Sequence, residues 1–298
     1  MVPRQRVVVA SAERELMRIL ITGAGGQVGR ELDELCQANG DDVIALDHHA
    51  LDITDHDAVM NSVAAARPTT IVHAAAWTAV DACEGDPGRA HEVNAVGTRN
   101  VADAARSVGA HLVAISTDYV FDGTKPTPYV ESDPPNPTSV YGQSKWAAEQ
   151  ELDASRDTIL RISWVCGRYG NNMVKTLLRL GADGIDPAFV NDQVGHPTIV
   201  SDLVPMLHRL ADERRAGLFH VTNQGAVSWY EFAREVFEVA GHDPSRVRAI
   251  TTAELDPPRP APRPANSVLA NEALGAAGIP LLPDFRATLP HLVATIGH

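Results

Sequence analysis

The sequence has little cysteine, few aromatic residues and a deficit of positive charge. Of its 298 residues, three are cysteine and 5% are aromatic. Cys36, Cys83 and Cys166 are far apart and lack CxxC spacing, which argues against a disulfide framework or a zinc site and indicates a reducing compartment. The 25 basic and 38 acidic side chains give a net charge of −13. Because nucleic-acid binding needs a basic face, we expect no nucleic-acid partner.

Long apolar runs are also missing. No run approaches the ~20 residues that cross a bilayer, and residues 7–10 are too few for the apolar core of a signal peptide. The apolar fraction of 44% is still sufficient for a large core. We therefore expect a cytoplasmic globular protein without a membrane partner.

Short apolar runs alternate with helical patterns over the first 170 residues. Strands are predicted at residues 18–22, 43–46, 70–75, 111–116 and 158–163, and helices at 27–39, 55–66, 88–108 and 141–152. Strands separated by helices of this length are joined by right-handed crossovers in a parallel sheet. The predicted fold class is therefore α/β, a Rossmann-type doubly wound parallel sheet with a smaller C-terminal substrate-binding cap.

Three parts are expected along the chain. Residues 1–16 form an N-terminal extension, because Met17 directly precedes the first strand and suits a natural start. Residues 17–170 form the dinucleotide-binding domain, and residues 171–298 mainly form the cap, from which a later strand and helix return to the sheet. The later elements are predicted at residues 172–180, 201–211, 218–222 and 229–240. Five prolines exclude a regular helix or a central strand from residues 256–264.

Residues 22–29, TGAGGQVG, join the first strand to the first helix. Gly23 allows the tight turn, Gly26 lets the backbone approach a pyrophosphate, and Gly29 lets the helix pack on the strand. Glycine clusters also close plain turns, but the strand before and the helix after favour dinucleotide binding. Gln27 and Val28 belong to the same predicted cofactor site.

Further cofactor contacts are predicted at the ends of the second and third strands. Asp47 ends the second strand, where an acidic side chain would bond a ribose hydroxyl and mildly favour NADH. An ordinary surface aspartate is the alternative, so the preference between NADPH and NADH stays open. The remaining predicted contacts are Asp52, Ile53 and the small residues Ala74, Ala75 and Ala76, which suit a cofactor passing close to the backbone.

Tyr141 and Lys145 are four residues apart and share one face of a predicted helix. A tyrosine can protonate a carbonyl oxygen as hydride reaches its carbon, and a neighbouring ammonium lowers the phenol pKa. Such a spacing arises by chance with an expectation of about 0.05, and a solvated helix pair is the alternative. Ser116, Thr117 and Asp118 at the end of the fourth strand strengthen the catalytic interpretation, because a hydroxyl there can bond the substrate carbonyl.

The motifs TGAGGQVG, VNAVGT (93–98), STDYVFDG (116–123) and YGQSK (141–145) resemble the extended short-chain dehydrogenase/reductase family. SWVCGRYGNN (163–172), NDQVGHPT (191–198) and RPANS (263–267) are similar, in the same order, to blocks of its dTDP-4-dehydrorhamnose reductase branch. The first four motifs occur in many sugar-nucleotide enzymes, whereas the later three are more specific. The similarity runs from about residue 18 to the C-terminus.

The resemblance implies reduction of the C4 keto group of dTDP-4-dehydro-β-L-rhamnose by NADPH, with NADH possible, as the last step of dTDP-rhamnose biosynthesis. It implies that Tyr141 donates the proton, Lys145 lowers its pKa and Thr117 orients the carbonyl. The implied substrate contacts are Asp118, Trp164, Gln193, Arg263 and Asn266. A core position for Trp164, and loop-bracing hydrogen bonds for Gln193 and Asn266, are the alternatives. Asn94 is structural or part of a proton relay.

The same resemblance has implications for metal binding and for the oligomeric state. Some members of this family dimerise through magnesium held by glutamates, and Glu31 matches one such position. Ser201 stands where another ligand would fall, and residues 291–298 contain no acidic side chain. Because magnesium needs hard oxygen ligands, we expect no metal site, no magnesium-bridged dimer, and a monomer or weak homodimer.

Two alternatives stay open at this point. An epimerase or dehydratase of the same superfamily would keep its nicotinamide through the cycle. The aspartate–tyrosine pair after Thr117 argues against a dehydratase, whereas only the later motifs argue against an epimerase. A non-catalytic, reductase-like regulatory subunit is the other alternative, and the presence of Tyr141 and Lys145 argues against it.

Overall fold

A six-stranded parallel sheet lies at the centre of the computed structural model, which describes residues 16–296. The strands are β1 (Arg18–Thr22), β2 (Asp42–Leu46), β3 (Thr70–His73), β4 (His111–Thr117), β5 (Thr158–Ile162), β6 (Val165–Cys166), β7 (Ala188–Val190), β8 (Val194–Gly195), β9 (Thr198–Ile199), β10 (Gly217–His220), β11 (Val227–Ser228) and β12 (Arg248–Ile250). The order in the large sheet is β10-β5-β4-β3-β1-β2, with parallel pairing throughout. The predicted Rossmann-type sheet is confirmed.

Helices cover both faces of this sheet. They are α1 (Gln27–Ala38), α2 (His56–Ala66), α3 (Val80–Gly85), α4 (Pro87–His91), α5 (Gly97–Val108), α6 (Val140–Gln150), α7 (Met173–Ala182), α8 (Val200–Asp212), α9 (Trp229–Val239), α10 (Glu272–Ala276) and α11 (Phe285–Ile296). Leu32 of α1 and Leu207 of α8 pack against one face of the sheet. Val59 of α2 and Val101 of α5 pack against the other.

The strand order places one crevice at the carboxyl ends of β1 and β3. The chain moves from β1 outwards to β2 and then returns to the other side of β1 for β3. Ligands of doubly wound sheets bind where the strand order reverses in this way. The glycine turn follows β1, and the alanines at residues 74–76 follow β3, so both predicted cofactor segments lie at the reversal.

One predicted helix is built differently from the expectation. Residues 88–108 are α4 and α5 joined by a π-helical turn, Glu92–Val96. Within that turn the Asn94 side chain accepts the amide N–H of Trp77 at 2.7 Å and donates to the Trp77 carbonyl at 3.1 Å. A side chain that bonds a neighbouring loop explains the local widening, which helical periodicity does not reveal.

A separate apolar cluster lies outside the layers of the large sheet. Leu177 of α7, Phe232 of α9 and Phe285 of α11 belong to it, and all three are fully buried. The later strand β10 lies beside β5 in the large sheet. We therefore propose the division stated above, with residues 171–298 forming mainly the cap.

The proline-rich segment, residues 256–264, and the N-terminal extension were also subjects of prediction. Residues 256–264 contain no helix or strand, as their prolines predict. Most of the predicted N-terminal extension, residues 1–15, lies outside the described residues. Within residues 16–296, no helix combines the length and the apolar character that crossing a bilayer requires.

Candidate active site

Two glycines of the turn after β1 lie where no side chain fits. Gly23 has φ +71°, and a Cβ there would lie 2.6 Å from the amide nitrogen of Ala75. A Cβ on Gly29 would lie 2.7 Å from the Cα of Ala24. Gly26 closes the turn by donating to the Gly23 carbonyl at 2.9 Å, and it caps α1 without a side-chain hydrogen bond. The first amides of α1 are thus available to an anion, which fits a dinucleotide pyrophosphate.

A cavity of about 540 Å³ extends from this turn to the predicted catalytic residues. It brings together most of the predicted cofactor contacts and the predicted catalytic group. The predicted residues that line it are Gly23, Gly26, Gln27, Val28, Gly29, Ala74, Ala76, Thr117, Asp118, Tyr141, Lys145 and Trp164. A space of this size between a glycine turn and a tyrosine–lysine pair fits a nicotinamide dinucleotide.

Four predicted cofactor contacts are not part of this lining. Ala75 supports the turn through its backbone close to Gly23. Asp47 lies beside the turn, near Gly25. One oxygen of its carboxylate accepts hydrogen bonds from the backbone amides of residues 49 and 50, at 2.9 and 3.0 Å. These bonds lower the pKa of Asp47.

Asp52 and Ile53 have local roles in the structure. The Asp52 carboxylate accepts hydrogen bonds from the amide and the hydroxyl of Thr54, which shapes the turn before α2. The Ile53 side chain is only 6% exposed and packs on Gly97. Their assignment as cofactor contacts stays a prediction.

Helix α6 presents Tyr141 and Lys145 to the cavity. Its first turn is capped by the Ser139 hydroxyl, which accepts the amide N–H of Gly142 at 3.1 Å. A Cβ on Gly142 would overlap the carbonyl oxygen of Tyr119, so this glycine lets α6 approach the chain that follows β4. The close approach sets Tyr141 beside Thr117, whose hydroxyl interacts with the phenol.

The electrostatics of the pair differ from the expectation. The pKa of Tyr141 is raised, mainly because burial disfavours the phenolate, and the nearby Asp118 charge adds to this rise. Burial lowers the pKa of Lys145 to about 8. The Lys145 ammonium donates to the carbonyl oxygen of Ile115 at 2.8 Å. Desolvation of the phenol therefore outweighs any lowering of the Tyr141 pKa by Lys145 in this structure, and the role of Lys145 toward Tyr141 stays a prediction.

Asp118 is buried at the floor of the cavity. Burial raises its pKa to about 6. Its Oδ1 accepts the Thr117 hydroxyl at 3.0 Å, and its Oδ2 is buried with no partner at hydrogen-bond distance among residues 16–296, although the neighbouring Ser267 side chain opposes part of the rise in pKa. A buried carboxylate oxygen without a partner is costly unless a donor reaches it. This oxygen therefore suits a ligand hydroxyl.

A second cavity, of about 120 Å³, lies on the other side of a tryptophan pair. Trp164 and Trp229 stack with ring centroids 3.6 Å apart, and the first lines the large cavity while the second lines the small one. Trp164 has φ +43°, which is uncommon for a bulky side chain. Other residues around the small cavity are Tyr119, Met173, Phe189, Gln193, Leu255, Arg259 and Arg263.

The family model described as the RmlD substrate binding domain matches residues 17–297. The chain belongs to the RmlD family. The dTDP-4-dehydrorhamnose reductase of Streptomyces griseus is 44% identical to this chain over 280 residues, which are 91% of each protein. The dTDP-4-keto-6-deoxy-D-glucose reductase of Streptomyces niveus is 40% identical over 265 residues, which are 88% of this chain and 91% of that protein.

A solved structure extends the similarity to the whole RmlD fold. The dTDP-4-dehydrorhamnose reductase of Bacillus anthracis, crystallised in complex with NADP, superposes with a TM-score of 0.89 at 39% identity. The match covers 94% of this chain and 99% of that one. The resemblance that the sequence motifs indicate is confirmed.

Three predicted substrate residues of this RmlD chain bond other protein groups. The Arg263 guanidinium holds the Asp81 carboxylate at 2.5 and 2.7 Å. The Gln193 amide donates to the Thr252 hydroxyl at 2.9 Å. The Asn266 amide donates to the carbonyl oxygens of Lys125 and residue 127, at 2.7 and 3.0 Å. Arg263 and Gln193 still line the small cavity, whereas Asn266 braces a loop.

Two residues with open alternatives have structural partners. Asn94 joins the π-helical turn to α6 by donating to the Ser144 hydroxyl at 2.9 Å. Glu31 is buried and accepts the amide N–H of Arg168 at 2.9 Å, which ties α1 to the SWVCGRYGNN segment. The absence of a magnesium-bridged dimer stays a prediction.

Several side chains at the site are missing from the sequence-based prediction. Tyr119, Trp229 and Arg259 line the small cavity. Tyr119 directly follows Thr117 and Asp118, which is a signal that could have identified it. Trp229 and Arg259 lie in segments whose position relative to the sheet depends on the tertiary fold.

One group of three potential metal-ligand side chains lies among residues 16–296, and the sequence spacing did not indicate it. Cys36, Asp41 and His208 are buried, with their ligand atoms within 4.8 Å of one another. The Asp41 carboxylate and the His208 imidazole are 2.7 Å apart, which is a hydrogen-bond distance. Two ligands of one zinc ion at bond lengths of about 2.0–2.1 Å are about 3.3 Å apart. The observed geometry is that of a hydrogen-bonded pair.

Proposed function

We propose that this chain reduces the C4 keto group of dTDP-4-dehydro-β-L-rhamnose with NADPH and forms dTDP-L-rhamnose, the last step of dTDP-rhamnose biosynthesis. The single observation that supports this most strongly is the 540 Å³ cavity that joins an uncapped helix N-terminus to a buried tyrosine, threonine and lysine. The RmlD family membership and the 44% identity to the Streptomyces griseus reductase support the same activity.

The cofactor side is formed by the glycine turn and the start of α1. Gly26 and the first amides of α1 would hold the pyrophosphate, and the small residues Ala74 and Ala76 leave room along β3. NADPH, when bound, supplies the hydride that reaches the carbonyl carbon. Asp47 beside the turn carries a charge that opposes a 2′-phosphate, so NADH belongs in every assay as a second cofactor.

Tyr141 would supply the proton. The phenol is protonated at neutral pH and can donate to the oxygen on which negative charge develops. Its raised pKa makes it a weak acid, so the transfer needs a neighbouring group that favours loss of the proton. Thr117 would orient that oxygen from the end of β4. The Lys145 ammonium, held by the Ile115 carbonyl, would bond a cofactor hydroxyl and favour the loss of the phenol proton.

The substrate would occupy both cavities. The unpartnered Oδ2 of Asp118 would accept a sugar hydroxyl beside Trp164. The smaller cavity would take the nucleotide, with Gln193 as a neutral partner and two arginines toward the diphosphate. Arg263 lines this cavity with the plane of its guanidinium fixed by Asp81, and Arg259 is exposed at the rim. Asn266, in this proposal, supports the substrate loop.

A second substrate deserves a parallel test. The Streptomyces niveus relative, 40% identical, is named a dTDP-4-keto-6-deoxy-D-glucose reductase. A related dTDP-4-keto sugar is therefore the second candidate substrate for this chain.

The decisive assay follows the absorbance of reduced nicotinamide with purified protein. It uses both dTDP-4-keto sugars, each with NADPH and with NADH, and identifies the products by NMR. We expect dTDP-L-rhamnose from the first sugar with NADPH. Interconversion of sugars without net oxidation of the cofactor would instead identify an epimerase. Binding of nucleotide without turnover would favour a regulatory subunit.

We also propose a cytoplasmic monomer or weak homodimer. Cys83 and Cys166 are buried thiols, which suits a reducing compartment. Glu31 is buried against the Arg168 backbone, which leaves it poorly placed to bridge two chains. A sedimentation coefficient that rose toward that of a dimer on addition of magnesium would contradict the proposal.

A further inference from the structure

Helix α6 carries a third ionisable side chain, Glu149, on the face that presents Tyr141 and Lys145. Glu149 follows Lys145 by four residues, as Lys145 follows Tyr141, so the three share one face. The Glu149 side chain is only 4% exposed. A carboxylate is thus buried directly behind the lysine of the candidate active site.

This carboxylate joins three elements of the fold. Its partner on β5 is Arg161, whose guanidinium donates to both Glu149 oxygens at 2.9 and 2.7 Å and whose side chain is 2% exposed. The Ser116 hydroxyl at the end of β4 donates to Oε1 of Glu149 at 2.5 Å. Helix α6, β4 and β5 therefore meet at one buried carboxylate.

The contact with β4 lies next to the candidate catalytic threonine. Lys145 holds the carbonyl of Ile115 at 2.8 Å, and Glu149 holds the hydroxyl of Ser116. These two successive residues of β4 are followed by Thr117. Two side chains of α6 thus fix the strand end from which Thr117 reaches the cavity.

Stability alone does not account for this arrangement. Withdrawal of two charges from water is costly, and buried ion pairs are often replaceable by apolar side chains without loss of stability. Arg161 also packs over the ring of Phe121 at 5.0 Å and lies 3.5 Å from the His220 imidazole. The pair is buried beside the candidate active site, where a fixed negative charge acts on Lys145 through a medium of low dielectric constant.

We propose that Glu149 is a positioning residue for the reduction, which keeps Lys145 protonated by its charge and fixes the Thr117 end of β4 through Ser116. The inference rests on the proposed function for its effect on turnover, whereas its effect on Lys145 is independent of any substrate.

The direction of the effect follows from the groups around Lys145. Glu149 on α6 and His73 on β3 interact with Lys145 directly. Tyr141 and Asp118 line the same cavity, and Arg161 on β5 is paired with Glu149. His73 is neutral, because burial lowers its pKa to about 3. Burial lowers the pKa of Lys145 to about 8, and the Glu149 charge opposes that fall. Removal of this charge therefore moves the Lys145 titration to lower pH.

The chain offers a direct readout, because it contains three lysines, Lys125, Lys145 and Lys175. NMR of protein labelled in its lysine side chains gives three signals to titrate, and Lys125→Arg and Lys175→Arg assign them. In Glu149→Gln we expect the Lys145 midpoint to fall by about one pH unit. The matched control is Glu151→Gln, which removes a carboxylate two residues later that pairs with Arg99 at 2.8 Å. The control should leave the Lys145 midpoint unchanged.

Turnover gives the second readout. If the Lys145 midpoint falls from about 8 by one unit, the protonated fraction at pH 8 falls about fivefold, whereas at pH 6 it falls by less than about a tenth. The kcat of Glu149→Gln should fall more at pH 8 than at pH 6, in line with the protonated fraction of Lys145. A further fall in kcat, equal at every pH, should follow because Ser116 no longer bonds the Glu149 carboxylate. Ser116→Ala keeps the charge, so it should lower kcat severalfold at every pH without moving the Lys145 signal.

Glu149→Gln leaves Arg161 buried without its partner, which threatens folding. Glu149→Gln combined with Arg161→Gln removes both charges and should show a smaller fall of the Lys145 midpoint with the same sign. An unchanged midpoint in a folded Glu149 variant, or an unchanged kcat in Ser116→Ala, overturns the proposal. A shifted Lys145 signal in a protein that reduces neither dTDP-sugar would overturn the proposed function and leave the role of Glu149 toward Lys145 intact.

Discussion

The two sides of the candidate site present their side chains in different ways. On the sheet side, Thr117, Tyr141 and Lys145 project from a strand end and a helix face straight into the large cavity. On the cap side, Arg263 is paired with Asp81, and other predicted binding groups are likewise bonded to protein. Regular elements place side chains by their periodicity. Loops place them through partners that are distant in the sequence.

The difference separates chemistry from binding. Changes on the sheet side should alter kcat or cofactor affinity, because those groups meet the reacting atoms. Changes on the cap side should alter KM, because those groups hold the nucleotide away from the reacting carbon. The following variants test this separation.

Tyr141→Phe should have the largest effect, because it removes the phenol hydroxyl that would donate the proton. We expect kcat to fall by roughly 10²–10⁴ with NADPH affinity unchanged. Initial rates and a nucleotide-binding titration measure the two quantities. Tyr119→Phe is the comparison at a tyrosine that lines both cavities, because its ring lies 5.5 Å from that of Tyr141. It should change KM more than kcat, and a normal kcat in Tyr141→Phe would refute the assigned proton donor.

Gly29→Ala should be the next most harmful change on the sheet side. The added Cβ would lie 2.7 Å from the Cα of Ala24, and backbone atoms cannot move aside as a flexible side chain can. We expect a loss of about 1–3 kcal/mol of unfolding free energy and weaker NADPH binding. Urea denaturation checks the first and a binding titration the second. Gly85→Ala on α3, where a methyl group meets nothing within 4 Å, should leave both near wild type.

Asp81→Asn tests the cap side. It removes the charge that fixes the Arg263 guanidinium, so the arginine loses its set orientation toward the diphosphate. We expect KM for the dTDP-sugar to rise about tenfold with kcat nearly unchanged. Asp57→Asn, at a side chain 93% exposed, is the control for loss of one negative charge. A fall in kcat at unchanged KM would break the separation between the two sides.

Asp118 lies between the sheet side and the cap side of the site. Its protonation should give the smallest effect, a pH dependence of kcat/KM. Its raised pKa, about 6, means that the carboxylate is present above that pH and is protonated below it. Because the carboxylate accepts the sugar hydroxyl in our proposal, kcat/KM should fall to about half its plateau at pH 6 and continue to fall below. A pH profile of kcat/KM measures this limb. Asp118→Asn should remove the limb, and a flat wild-type profile from pH 7 to pH 5 would contradict the assignment.

The same contrast explains what sequence reasoning could reach. The parallel sheet, the glycine turn and the tyrosine–lysine face were predictable, because alternation and helical spacing fix which side chains share a face. The helix predicted over residues 88–108 was wrong in its middle, where Asn94 bonds the Trp77 backbone and a π-helical turn results. Periodicity carries no information on such a side-chain contact.

The side-chain contacts on the cap side were harder to predict from the sequence. Arg263 was predicted as a substrate contact, but its pairing with Asp81 joins residues 182 positions apart, which no local pattern indicates. The net direction of the Tyr141 pKa was out of reach for a related reason. A single charged neighbour, Lys145, suggests a lowered pKa, whereas burial by the whole fold raises it.

The central claim is that one cavity brings a nicotinamide and the C4 keto carbon of a dTDP-sugar together. Its most direct test is a reaction of the purified protein with dTDP-4-dehydro-β-L-rhamnose and NADPH that carries deuterium at the transferable position of the nicotinamide. The account predicts dTDP-L-rhamnose with deuterium at C4 of the sugar, and no labelled product from Tyr141→Phe on the same timescale. Oxidation of NADPH without deuterium in the sugar would contradict it.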